Sequence, residues 1–334
     1  MERGTALVLG ATGGIGGETA AALLRRGWKV RALARDPARA AAQWPAGTLR
    51  PEWVAGDAMD AASVLAAARG AALIVHAVNP PGYRDWETLV PPMLENTLRA
   101  AEATGARIVL PGNVYNYGPD AFPDIDESAP QHPVTRKGAI RVRMEQRLCE
   151  SATRGVRTLV VRAGDFFGPR AHSNWFAQGL VKAGRPLASI GDPGRPGLGH
   201  QWTYLPDMAE AIAQLVEREH ALATFESVHM AGHWDADGTQ MQAAIRRASG
   251  RPDLPVRRFP WRLAMLASPF VPMLRELREM RYLWQKPVRL CNARLVALLG
   301  SEPHTPLDAA VRATLEGLGC LQAPRARSGE RQAA

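Results

Sequence analysis

The stretch LVLGATGGIGGETAAALLRRGWKVRALAR, Leu7–Arg35, decides the fold. Its first residues complete an apolar strand, Thr5–Gly10. A helical run, Ile15–Gly27, follows and is stopped by Gly27. A second strand, Lys29–Ala34, comes next. Between the first strand and the helix stand Gly10, Gly13 and Gly16. A strand, a glycine loop, a helix and a strand make a βαβ unit with a phosphate site at the helix N-terminus. Gly10 permits the tight turn, Gly13 lets backbone approach a pyrophosphate, and Gly16 lets helix and strand pack closely. The phosphates would take the unpaired N–H groups around Thr12, Gly13, Gly14 and Ile15.

The alternation continues outward. Glu52–Asp57, Ala72–Val78, Arg107–Gly112 and Arg157–Gly164 read as further strands. Ala61–Gly70, Glu87–Thr104 and Lys137–Thr153 read as the helices between them. This pattern predicts an α/β fold, a Rossmann doubly wound parallel sheet covered on both faces. Residues 1–165 form the dinucleotide-binding domain, to which later chain also contributes. Residues 166–322 form a smaller C-terminal substrate lobe, with helices at Asp207–Arg218, capped by Asp207, and Thr239–Gly250. Residues 323–334 lack apolar periodicity and read as a disordered tail.

The chain has 334 residues, 46% hydrophobic and 22% charged, with a formal net charge of +9. That is an ordinary globular composition. The arginines are scattered and no basic tract is flanked by aromatics, so no nucleic-acid partner is expected. The most apolar stretch, LAMLASPFVPML at Leu263–Leu274, is too short to span a bilayer and holds two prolines. It reads as a buried helix pair or a hydrophobic lid, and no membrane partner is expected. No signal-peptide run follows Met1. Cys149, Cys291 and Cys320 form no CxxC and read as buried thiols in a reducing, cytoplasmic compartment, with no disulfide and no metal site.

The end of the second strand bears on the cofactor. A carboxylate there usually takes the ribose hydroxyls of NAD. Here Ala34 occupies that place and Arg35 follows, a guanidinium suited to a 2′-phosphate. NADP(H) is therefore favoured, while NAD(H) stays open because Asp36 could turn inward. Asp57, after the third strand, could accept from the adenine amino group or cap a helix. Ala77, after the fourth strand, lies where backbone passes the nicotinamide ribose. His76 reads as a core histidine.

These features, with NVYNYGP (Asn113–Pro119), RAGDFFGP (Arg162–Pro169) and WTYLPDMAEAI (Trp202–Ile212), resemble the extended short-chain dehydrogenase/reductases, in their NAD-dependent epimerase/dehydratase branch. The resemblance covers about the first 220 residues. It implies a Rossmann lobe, a variable substrate lobe and a homodimer through the helices at Glu87–Thr104 and Lys137–Thr153.

That family's active site is a Ser/Thr with a Tyr-x-x-x-Lys pair, and this sequence departs from all three. The resemblance places Asn113 at the Ser position, Lys137 at the Tyr position and Arg141 at the Lys position. Lys137, Arg141 and Glu145 share one helix face. Arg141 can donate to ribose hydroxyls. Its charge would lower the pKa of Lys137, which could then pass a proton near neutrality. The K-x-x-x-R-x-x-x-E pattern also resembles the isoflavone-reductase-like reductases, which use a lysine in this role with NADPH. The alternative is a solvated basic face paired with Glu145. Asn113 could hold a substrate oxygen, and Tyr115 or Tyr117 could replace the missing acid. Phe166, Phe167, His200 and Trp202 come from segments that line the substrate in the family. The expectation is an NADP(H)-dependent oxidoreductase for a small carbonyl or activated alkene, with Lys137 as proton donor. A sugar-nucleotide epimerase or dehydratase with NAD, and a non-catalytic NADP(H) redox sensor, are the alternatives.

Overall fold

A computed structural model describes residues 3–80, 85–171 and 173–321, without the side chains of residues 272, 273 and 276. The expected tail, 323–334, lies outside the described residues. The first half runs β1 (Thr5–Leu9), α1 (Gly14–Arg25), β2 (Lys29–Ala34), α2 (Pro37–Gln43), β3 (Glu52–Ala55), α3 (Ala61–Ala68), β4 (Ala71–His76), α4 (Trp86–Thr104) and β5 (Arg107–Gly112). After it come β6 (Asp124–Ile125), α5 (Arg136–Ser151), β7 (Thr158–Arg162), β8 (Asp165–Phe167), β9 (Ile190–Asp192), β10 (His200–Tyr204) and α6 (Leu205–Glu217). The chain closes with β11 (Phe225–His229), β12 (His233–Asp235), α7 (Gln240–Ser249), β13 (Val256–Arg258), α8 (Trp261–Ala267), α9 (Pro272–Met280), β14 (Arg289–Leu290), α10 (Ala293–Leu299) and α11 (Leu307–Gly317).

The central sheet has seven parallel strands in the order β11-β7-β5-β4-β1-β2-β3. Strand β1 shows why both faces must be covered. Ala6 and Val8 enter one core with Ala20 and Leu23 of α1 and Met208 and Ile212 of α6. Leu7 and Leu9 enter the other with Val64 of α3, Val90 and Leu98 of α4, and Ile140 and Leu148 of α5. The period of two along the strand thus feeds two helical layers. The order reverses between β1 and β4, and ligands bind at such switch points beyond the strands' carboxyl ends.

The seventh strand comes late. After leaving for the second lobe, the chain returns with α6 against α1 and β11 beside β7. The second lobe has a β12-β10-β8 sheet, the pairs β13-β9 and β14-β6, and α7 packed on α11. Phe167, Phe176, Trp202, Met241 and Leu315 form its core.

Three local expectations are corrected. Asp207 does not cap α6, which starts two residues earlier; its carboxylate is buried and accepts from Thr305 N and Oγ1 at 2.7 and 2.6 Å. Of the three thiols expected to be buried only Cys320 is; Cys149 is exposed, because Leu148 takes the inward position on α5, and Cys291 is half-buried. The apolar stretch at Leu263–Leu274 is helical at both ends, through α8 and α9. It is not a buried pair, for Leu263, Met265, Leu266, Phe270 and Val271 are all exposed. No helix among the described residues is long and apolar enough to cross a membrane.

Candidate dinucleotide and active site

The glycine loop is built for close approach. Gly10 has φ +89°, and a Cβ there would meet the Ala77 carbonyl at 2.4 Å. A Cβ on Gly16 would come within 2.2 Å of the Gly10 carbonyl, so α1 and β1 could not pack as they do. At Gly13 the nearest atom is the Gly10 carbonyl at 3.3 Å, and Thr12 and Gly13 are exposed. The open side of the turn therefore faces solvent at the N-terminus of α1, whose first turn carries no acidic residue. Gly14 and Ile15 are half-buried behind it. This cradle fits a pyrophosphate on the helix's free N–H groups.

The neighbouring carboxylates sort themselves. Asp60 is the cap of α3, accepting from Ala62 N and Ser63 N. Among the described residues the Asp57 carboxylate accepts only from Met59 N, at 2.9 Å, so the helix-cap role belongs to Asp60. Asp36 caps α2 by accepting from Arg39 N at 3.0 Å. Arg35 is exposed beside it at the end of β2. Arg31 donates to the carbonyls of Ala67 and Arg69 and pairs with Glu52, away from the loop. His76 is a core histidine: its Nδ1 lies 2.8 Å from Thr97 Oγ1, and burial lowers its pKa to about 3.

Beyond β4 and β5 the basic helix comes in. Thr135 caps α5, accepting from Gly138 N at 3.0 Å. Lys137, Arg141 and Glu145 are all buried, which removes the alternative of a solvated basic face. The Trp86 ring lies 5.9 Å from Lys137 Nζ and 5.2 Å from the Arg141 guanidinium. Arg141 also donates to Asn79 Oδ1 at 2.8 Å, just past the end of β4. Gly138 explains how α5 gets so near the Asn113–Tyr117 segment. A Cβ there would stand 2.2 Å from the Tyr115 carbonyl.

Glu145 is engaged elsewhere than with the two cations on its face. It accepts from Arg162 at 2.5 Å and from Gln131 at 3.2 Å. Arg162, fully buried at the end of β7, also donates to the Asn113 carbonyl at 2.6 Å and lies 5.1 Å over the Tyr117 ring. Asn113 Oδ1 accepts from Tyr115 N at 3.0 Å, which starts a short 3-10 turn and leaves the Nδ2 amide as its donor. Tyr115 is half-buried; Tyr117 is buried, with its hydroxyl 3.1 Å from His229 Nε2. Burial raises the Tyr117 pKa and lowers that of His229 to about 3.

In the second lobe, His200 and Trp202 line a cavity of about 320 Å³. His200 is held between two partners: its Nε2 lies 2.8 Å from Asp165 Oδ2, and its ring stacks on Trp284 at 3.9 Å. Asp192, Arg195 and Arg258 add polar groups to the wall. Phe166 and Phe167 do not line this cavity. Phe167 is fully buried in the lobe's core, and Phe166 packs against the core of the first lobe.

Several participants were not singled out from the sequence. Arg162 carries a readable signal, an arginine closing an apolar strand. Gly138 carries a weaker one, a glycine in the first turn of a helix. Trp86, Asn79, Trp284 and His229 carry none, because only the fold brings them to the site.

Residues 10–154 match the NAD(P)H-binding family. Solved structures align over nearly the whole chain. A UDP-glucose 4-epimerase from Brucella ovis in complex with NAD is 17% identical, covering 95% of this chain and 99% of its own, with a TM-score of 0.72. A putative epimerase from Burkholderia cenocepacia is 20% identical, covering 94% and 98%, at 0.71. A dTDP-glucose 4,6-dehydratase from Streptomyces venezuelae with bound NAD is 18% identical, covering 94% and 96%, at 0.70. No curated protein sequence matches.

Proposed function

We propose that this chain, which has the fold of the extended short-chain dehydrogenase/reductases and matches the NAD(P)H-binding family over residues 10–154, is an NADP(H)-dependent oxidoreductase acting on a small carbonyl or activated alkene. The observation that carries the reading is the burial of Lys137 and Arg141 on one face of α5. Gly138 holds that helix against the Tyr115 carbonyl, and Arg141 is joined to Asn79 past the end of β4. A buried lysine and arginine are costly to place, and sites for chemistry are where such cost is accepted.

A nicotinamide dinucleotide, when bound, would supply the hydride chemistry. Gly10, Thr12, Gly13, Gly14, Ile15 and Gly16 would hold its pyrophosphate, and Asp57 and Ala77 would flank the adenine and the nicotinamide ribose. Arg141 would donate to that ribose, and Arg35 would meet a 2′-phosphate. Lys137 passes the proton, with Asn113 Nδ2 holding the substrate oxygen and Tyr115 beside it. His200 and Trp202 present the aromatic wall for the substrate.

Lys137→Met keeps the aliphatic volume and removes the proton. The expected result is a loss of about 10²–10⁴-fold in turnover with cofactor binding retained. Unchanged turnover removes Lys137 from the mechanism. A second reading, epimerisation or dehydration of a sugar nucleotide with NAD, draws on the fold neighbours that are such enzymes. Tightly retained NAD in the purified protein favours it.

A further inference from the structure

The hairpin of α8 and α9 is the most apolar exposed feature among the described residues. Leu263, Leu266 and Phe270 are 67%, 76% and 85% exposed, with Val271 and Met265 beside them. Leu263 and Leu266, three apart, share one face of α8, and Phe270 and Val271 continue the exposed apolar stretch through the turn into α9. The opposite side, with Ala264 and Ser268, is buried against the protein. Several large apolar side chains in one exposed stretch mark an interaction site rather than ordinary surface scatter.

The charge around the stretch identifies the partner. Residues 256–290 hold eight basic and two acidic side chains, a net +6 within a chain of net +9. Arg257, Arg258, Arg262, Arg275 and Arg278 are exposed. Glu279 is paired with Arg136. Arg275 donates to the Pro269 carbonyl at the tip, and Arg281 lies 5.7 Å over the Trp261 ring. We propose that this hairpin docks the protein onto an anionic lipid surface. Phe270, Leu266 and Leu263 enter the headgroup–acyl boundary while the arginines meet the lipid phosphates. The element lies on the membrane and does not span it, which agrees with its short, proline-interrupted sequence.

Two other occupants fit less well. A second copy of the chain, paired about a two-fold axis, would bring the arginine rim against itself. A lid over the cavity lined by His200 and Trp202 would turn its apolar side chains inward, yet these point to solvent. The hairpin is nevertheless tied to that cavity's rim. Trp261 Nε1 donates to the Pro193 carbonyl at 2.7 Å, and Phe259 N to the Asp192 carbonyl at 2.7 Å. Both Asp192 and Pro193 line the cavity. Docking would set the cavity's rim close to the bilayer. The proposal rests on the hairpin alone and does not depend on the chemistry proposed above.

The test is flotation of the full chain with phosphatidylcholine vesicles, with and without phosphatidylglycerol. The wild type should float with the anionic vesicles and weakly or not at all with the neutral ones, and added salt should release it. Leu266→Ser with Phe270→Ser should lower partitioning by about a hundredfold or more. Arg262→Gln with Arg275→Gln should lower it by about tenfold. Circular dichroism melts establish that the variants are folded. Wild-type protein that stays off anionic vesicles overturns the proposal, as does a folded serine variant that floats equally well. Light scattering that shows the serine variant converting a dimer to a monomer also overturns it, assigning the face to a second copy.

Discussion

The Tyr117 hydroxyl lies 3.1 Å from Nε2 of His229, and both side chains are buried. His229 Nδ1 lies 3.3 Å from the Ile125 carbonyl, which can only accept, so Nδ1 carries the proton and Nε2 receives one from Tyr117. The phenol's hydrogen is therefore committed inside the protein. Tyr117→Phe should leave Nε2 buried without a donor and cost about 1–3 kcal/mol of stability. Turnover should stay within a few-fold of wild type. A loss of about 10²-fold or more with an unchanged melting temperature would make Tyr117 the acid instead.

Gly138 and Tyr115 give a second expectation. A Cβ at 138 would stand 2.2 Å from the Tyr115 carbonyl, a backbone atom that cannot swing aside. Gly138→Ala should push the first turn of α5 away from the Asn113–Tyr117 segment, at a cost of about 1–3 kcal/mol. Lys137 sits one residue away, so activity should fall further than stability alone explains, by about 10²-fold for a displacement near 1 Å. Thermal melts and steady-state kinetics on the same preparation separate the two effects. Full activity at an unchanged melting temperature would mean that α5 is not held by this contact.

The buried histidines set an acid limit. His76 and His229 are pushed from 6.5 to about 3, chiefly by burial, with Arg141 near the first and Arg162 near the second adding to the shift. In the unfolded chain both protonate near 6.5; in the folded chain both stay neutral until about 3. The unfolded state thus binds more protons across that window. Stability is fully present above 6.5 and falls as the pH drops toward 3, by up to about 1.4 kcal/mol per pH unit for each histidine. Urea unfolding across this range should show the slope, and His76→Gln should flatten it by about one proton. A variant with the wild-type slope would place the titration elsewhere.

Much of the first lobe is legible in the sequence because its signals are local. The glycine loop, the apolar strands β1 to β5 and the single helix face of Lys137, Arg141 and Glu145 each follow from spacing. What is not legible depends on partners far along the chain. Strand β11 is five residues, FESVH, and becomes the seventh strand only because β7 offers it an edge. The face of α5 is recognisable, but its burial depends on Trp86 and Arg162, which no spacing connects to it. Asp207 looks like a cap by its position, and becomes a buried acceptor because Thr305 comes back to meet it. At Leu263–Leu274 hydrophobicity alone says that apolar surface exists, not which side of the helix faces water.

The proposed preference for NADP(H) rests on Arg35. This residue is exposed at the carboxyl end of β2, one residue after the position where an acid would take ribose hydroxyls. Asp36, the nearest carboxylate, caps α2 through Arg39 N, so turning toward a ribose would uncover that helix end. A guanidinium in front and an occupied carboxylate behind favour a 2′-phosphate over a free 2′-hydroxyl. Wild-type protein should therefore bind NADPH more tightly than NADH. Arg35→Ala should weaken NADPH by about ten- to a hundredfold, the worth of one charge-assisted pair, and leave NADH nearly unchanged. Fluorescence titration of both cofactors against both proteins measures all four constants. Equal affinities in the wild type would defeat the phosphate argument. A loss of NADH binding in Arg35→Ala as large as that of NADPH would mean that Arg35 supports the adenosine half as a whole rather than its phosphate.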